Sequence, residues 1–125
     1  MLEEYVDEKN RLTIHVFTGV VLAKDIVEAV KALYAAGPTP NHLWDLTEAD
    51  TSAIRSDDLQ EIALLAKQSS PSGRNGRTAI VSNSDLGFGL SRMYGTFAEM
   101  SGHGIEVRPF RSREEAEEWI AELNK

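Results

Sequence analysis

The residues of this chain best placed for chemistry lie between His42 and Leu59, in the run HLWDLTEADTSAIRSDDL. A short apolar segment passes there into a stretch rich in Thr, Asp and Ser and then into a helix start. Small polar side chains and backbone N–H groups therefore meet at one edge of a sheet. Corners of this type are where open α/β sheets carry their sites. Asp45, Thr47, Ser56, Asp57 and Asp58 are accordingly the predicted partner-binding or switch residues. With Glu48 and Asp50 these acids would suit a hard cation, but their spacing departs from the calcium-loop pattern. Capping and solubility account for them, and no metal site is expected.

A second candidate is an anion site for phosphate or carboxylate, made by Arg74, Arg77 and Arg92 with Ser82 and Ser84. Gly87-Phe88-Gly89 follows a strand and opens a helix, as a dinucleotide fingerprint does, but Arg92 stands where that pattern needs its third glycine. The glycines read better as letting a helix start lie close against the sheet. His15, His42 and His103 show neither H-x-x-x-H nor acid–His spacing, and are read as structural or surface residues. No nucleophile can be paired with a base, so no catalytic residue and no cofactor is expected, and the chain is read as a non-enzyme.

A third candidate is apolar. Between Asp85 and Ser101, Leu86, Leu90, Met93, Phe97 and Met100 recur at helical spacing. Phe88, Met93, Tyr94 and Phe97 make this helix richer in aromatic and sulfur side chains than one core stripe needs. Gly87, Gly89 and Gly95 weaken it by up to ~1 kcal/mol each against Ala. The first reading of this excess is a wide buried face or a homodimer contact. The alternative is a loosely held helix over an apolar interior, acting as the lid of a small-ligand or lipid site lined by Phe88, Met93 and Phe97.

The elements that position these residues follow from composition and pattern. At 125 residues, 42% hydrophobic and 26% charged, the chain reads as one domain, residues 1–125, with a single core. The net charge of -7 argues against a nucleic-acid partner. The absence of Cys excludes disulfides and thiolate chemistry. The acidic start MLEEYVDEKN is no secretory signal, and no run reaches the ~18 apolar residues of a spanning helix. A cytoplasmic protein is expected, with peripheral membrane contact open to it through the third helix.

The polar pause Asp7 to Arg11 between apolar arms predicts a hairpin, with a break at Gly19. Helices are predicted over Lys24 to Ala36 with a Gly37-Pro38 stop, from Ser56 with Leu59, Ile62, Ala63 and Ala66 inward, and from a Ser84 or Asp85 cap. A fourth starts at the Ser112/Glu115 capping box, with Ala116, Trp119, Ile120 and Leu123 inward. Strands are predicted over His42 to Leu46, Thr78 to Ser82 and Ile105 to Phe110. Gln68 to Arg77 reads as the most mobile loop. Strands separated by single helices imply parallel pairing, hence an α/β domain with a mixed, mostly parallel sheet, an N-terminal antiparallel hairpin and four helices.

Three segments, WDLTEAD with the helix at Ser56, GRTAIVSNSDLGFGLSRMYGTFAE and IEVRPFRSREEAEEWI, resemble the SpoIIAA-like family of STAS-fold proteins, related to anti-sigma-factor antagonists. The resemblance runs over nearly the whole chain and implies the same order of elements. It also implies a non-enzymatic binding or regulatory module with a protein partner. In the antagonists a serine at the start of the second helix is phosphorylated within a pattern like D-S-S-G-L. Aligned on Leu59, that serine falls on Asp57 and the glycine on Asp58, so an aspartate holds permanently the charge that phosphate would add. A slip of one residue would put Ser56 there.

Overall fold

The computed structural model describes residues 1–36, 39–69, 76–102 and 105–124. Strands β1 (Leu2–Asp7) and β2 (Leu12–Val20) form the predicted hairpin, with Glu4 opposite His15 and Tyr5 opposite Ile14. Its turn is closed by the Asp7 carboxylate, which accepts from the Asn10 side chain at 2.8 Å and from the Asn10 N–H at 3.3 Å. There follow α1 (Ala23–Ala36), β3 (Asn41–Asp50), α2 (Ser56–Ser69), β4 (Arg77–Val81), α3 (Asp85–Ser101), β5 (Glu106–Phe110) and α4 (Arg113–Ala121), the last running into a 3-10 turn, Glu122–Asn124. The five strands lie in the order β1-β2-β3-β4-β5, antiparallel in the first pair and parallel in the rest.

This order decides where the helices go. Each parallel strand is laid beside the one before it, so right-handed crossovers put α1, α2 and α3 on a single face. Helix α4 follows the last strand, is not a crossover, and covers the opposite face. Strand alternation then splits the core. Leu12, Ile14, Leu43, Ala79 and Val81 point to Ala116, Trp119 and Ile120 of α4, while Phe17, Trp44 and Leu46 point to Ala29 of α1, Leu59 of α2 and Leu90 of α3.

Several expectations hold in detail. Leu59, Ile62, Ala63 and Ala66 are all buried. Ser84 is the residue that caps α3, its Oγ accepting from Gly87 N–H at 3.0 Å, and Ser112 caps α4 by accepting from Glu115 N–H at 3.1 Å. At α2 the bond that closes the first turn comes instead from Asp58, whose Oδ2 accepts from Arg55 N–H at 2.9 Å.

Three expectations are corrected. Strand β3 continues past Leu46 to Asp50, because a bulge that sets Leu46 and Thr47 opposite Phe17 lets Thr18, Gly19 and Val20 pair with Glu48, Ala49 and Asp50. Gly19 takes φ 77° there. Leu123 is exposed, since the 3-10 turn ends the helical phase that would have carried it inward. Helix α3 is rotated from its expected stripe: Gly87, Ser91 and Ala98 are buried, while Leu86, Met93 and Met100 are exposed. The cause is Gly87, which lies so close to the end of β4 that a Cβ would overlap Ser82 Oγ. Small residues face the sheet, and the large ones are turned out. The Gly37-Pro38 stop, His103 and residues 70–75 of the loop expected over Gln68 to Arg77 lie outside the described residues; Gln68 and Ser69 belong instead to α2, and Arg77 opens β4.

Candidate functional site

Beneath the three-helix face lies a cavity of about 100 Å³. Its floor is Phe17, Trp44, Leu46 and Ile80 of the sheet, and its roof includes Val30 of α1, Leu59 and Ile62 of α2, and Leu90 of α3. The small side chains that bring α3 against the sheet, Gly87 and Ser91, also line it. Polar groups on the wall are few: Tyr34, His42, Thr51, Thr78, Ser91 and Tyr94. None of the described residues lining it is an acid, a lysine or an arginine. A space of this composition favours an uncharged, largely apolar occupant.

A hydrogen-bonded chain leads to this wall from the hairpin edge. Glu4 Oε2 lies 2.5 Å from His15 Nδ1, and His15 Nε2 lies 3.1 Å from His42 Nδ1. Both histidines are inside, at 0% and 2% exposure. His15 stacks on Trp44, its neighbour across β2 and β3, with ring centroids 3.9 Å apart. A carboxylate can only accept, so Nδ1 of His15 carries its proton. Nε2 of His15 is then an acceptor, and His42 Nδ1–H donates to it. Burial lowers the pKa of His15 below its ordinary value, against the opposing pull of the Glu4 hydrogen bond and charge. At the outer end, Glu4 stands in an open groove with Met1, Asp25 and Glu28.

Sequence spacing gave no sign of this chain, because its members are 11 and 27 residues apart. One signal was there to be used. A hairpin folded about Asp7 to Arg11 places Glu4 opposite His15 on one face. The step from His15 to His42 needs the parallel pairing of β2 with β3, which local pattern does not reveal.

The predicted corner is divided by the sheet. Asp45 points to the α4 side with an 8% exposed side chain; its Oδ1 accepts from Thr47 N–H at 3.0 Å and Thr47 Oγ1 at 2.7 Å, and its Oδ2 lies 3.5 Å from Arg113 Nη1. Ser56 and Asp57 are exposed at the start of α2, and Asp58 caps its first turn. Of the four predicted lid residues, Tyr94 lines the cavity; Phe88, Met93 and Phe97 do not. Phe88 lies under the Arg111 guanidinium at 4.3 Å, Met93 is 39% exposed, and Phe97 packs against the core of the three-helix face.

The arginines of the expected anion site do not converge. Arg74 is outside the described residues. Arg77 starts β4, at the end of the strand away from the α3 cap, where its Nη1 donates to Trp119 O at 2.6 Å and pairs with Glu122 at 3.2 Å. Arg92 is exposed on the outer side of α3. The arginine that does reach the start of α3 is Arg111, 2.9 Å from Asp85. Among the described residues no group of three or more ligand-type side chains is arranged to hold a metal ion, and no helix is long and apolar enough to cross a membrane.

Five strands in sequential order, one antiparallel pair, three helices on one face and a fourth on the other define an α/β domain with the SpoIIAA-like fold that the resemblance implied. No family model matches the sequence, and neither does any curated protein. Among solved structures the chain is similar to an uncharacterized protein from the DUF3478 family with a SpoIIAA-like fold, from Shewanella loihica PV-4. The TM-score is 0.61 at 18% identity, over 96% of this chain and 92% of that one.

Proposed function

We infer that the protein is a non-enzymatic binding and regulatory module, a kind of protein the SpoIIAA-like fold supports. The observation behind this reading is the start of α2, which reaches the surface at the carboxyl edge of the parallel sheet with Ser56 and Asp57 exposed. In the antagonists that the chain resembles, the phosphorylated serine aligns with Asp57 when the pattern is set on Leu59, and with Ser56 after a slip of one residue. Here Asp57 supplies fixed negative charge for a protein partner. Within β3, ahead of this corner, Asp45 accepts from the N–H and hydroxyl of Thr47. The test is Asp57→Lys. It reverses an exposed charge, costs about 0.3–1 kcal/mol at a helix N-terminus, and leaves the fold intact. Partner recovery from native cells should fall while the melting temperature holds; equal recovery would count against the reading.

The cavity favours a second reading, in which the module carries or senses a small, largely apolar molecule held between the sheet and helices α1 to α3. Helix α3, with Gly87, Ser91 and Tyr94 on the cavity side, is the element that would move to admit it. Native mass spectrometry before and after denaturation tests this: a co-purified mass that leaves on unfolding supports it. Failure of added 1-hexanol to raise the melting temperature or bind would oppose it.

A further inference from the structure

Strand β1 is the outer strand of the sheet, and no described strand pairs with its far edge. Which groups lie on that edge follows from the hairpin. The Met1 ammonium donates to Thr18 O at 2.9 Å, and Met1 O accepts from Thr18 N–H at 2.9 Å. Antiparallel ladders alternate bonded and non-bonded pairs, and the register runs without a break from Leu2 opposite Phe17 to Asp7 opposite Leu12. Glu3, Tyr5 and Asp7 therefore bond β2, while Leu2, Glu4 and Val6 turn their N–H and C=O groups outward. An edge with such groups unpaired is a template for another strand.

The side chains of Leu2 and Glu4 point to the face that carries α1, and a groove of about 330 Å³ runs there between β1 and α1. Its wall holds three carboxylates, Glu4, Asp25 and Glu28, and neither lysine of α1, Lys24 or Lys31, lines it. The Met1 ammonium stands at the same groove and is taken up by Thr18 O. Asp25 accepts from Leu22 N–H at 2.8 Å and Glu4 Oε2 holds His15, whereas Glu28 is exposed on the outer side of α1. An open edge and an acidic groove thus lie side by side.

We propose that the open edge of β1 takes an extended basic peptide of a protein partner, added to the sheet as a further strand with its Lys or Arg side chains in the acidic groove. A residue paired with Glu4 shares its face, so every second side chain of the peptide enters the groove. The backbone of the peptide gains up to about six hydrogen bonds, two at each of Leu2, Glu4 and Val6. In such strand addition the main chain supplies affinity and the alternate side chains supply specificity. The same acids turn away a second copy of this chain. Paired antiparallel about Glu4, two copies would set their Glu4 carboxylates directly opposite each other, in a chain of net charge -7. Asp57 is not among the residues of the groove, so this surface is separate from the start of α2.

Amide hydrogen exchange of the full chain, followed by NMR with a peptide of about eight residues alternating arginine and threonine, tests the inference. The peptide should slow exchange at Leu2, Glu4 and Val6 and leave Glu3, Tyr5 and Asp7 as they are. The same peptide with glutamate for arginine should not bind. Val6→Pro removes an outward N–H without touching the ladder to β2, and Glu28→Lys reverses a charge of the groove. Each should weaken the arginine peptide about fivefold at a melting temperature close to wild type, and added salt should weaken it further. Binding that leaves the three outward amides unprotected, equal binding of the glutamate peptide, or no binding at all would overturn the proposal. Slowed exchange at those amides without peptide, growing with protein concentration, would overturn it in favour of a second copy.

Discussion

At the residue scale, the positions that matter most are small or half-hidden. Gly87 sets how closely α3 meets the sheet, and Ser82 Oγ occupies the space that a Cβ would need. Gly87→Ala should cost about 1–3 kcal/mol by overpacking, read as a lower urea midpoint with unchanged slope. Gly89, with open space around its Cα, should tolerate the same change with no comparable loss. His15 makes a different prediction. Its pKa lies below the ordinary 6.5 because burial outweighs the help of Glu4. Between those two values the unfolded chain binds the proton that the folded chain refuses, so stability falls as pH drops from 6.5 through the folded pKa. Glu4→Gln removes the group that raises this pKa, so it should move lower still and extend the acid-sensitive window downward. NMR titration of the His15 ring against pH checks both statements; a value at or above 6.5 would contradict the first.

At the element scale, the order of strands and helices was legible because each has local punctuation: the Asp7 to Arg11 pause, the Ser84 and Ser112 caps, and the even stripe of α2. Two phases were not legible. The side of α3 that packs is chosen by the close approach of Gly87 to Ser82, a tertiary contact that outweighs the apolar count of the Leu86, Met93 and Met100 stripe. The extension of β3 to Asp50 depends on a bulge of its own at Leu46 and Thr47, opposite Phe17 of β2. Rotation of α3 can be checked by pairing two variants. Met100→Glu, at a 78% exposed position, should change stability by less than about 0.5 kcal/mol. Ala98→Leu, at a buried one, should cost about 1–3 kcal/mol. The reverse order would restore the stripe read from sequence. The same rotation explains why the candidate lid residues scattered, with Tyr94 alone of the four facing the cavity.

At the scale of the whole molecule, the sheet divides the protein into a thin side and a thick side. The thin side, under α4, is a filled core in which Arg113 and Thr47 hold Asp45. The thick side, under α1 to α3, holds the cavity and the histidine chain. The candidate corner was legible as a place, since strand-to-helix edges follow from the element order. Which of its residues reach solvent was not, because Asp45 and Asp57 differ by the face of the sheet each serves. The binding-module reading rests on Asp57 at the exposed start of α2, and the measurement that meets it most directly is quantitative mass spectrometry of proteins recovered with the wild-type chain and with Asp57→Lys from native cells. The expected result is at least one protein recovered about tenfold less with the variant, a difference of about 1.4 kcal/mol in binding, at a melting temperature close to wild type. The same proteins in the same amounts from both chains would contradict it.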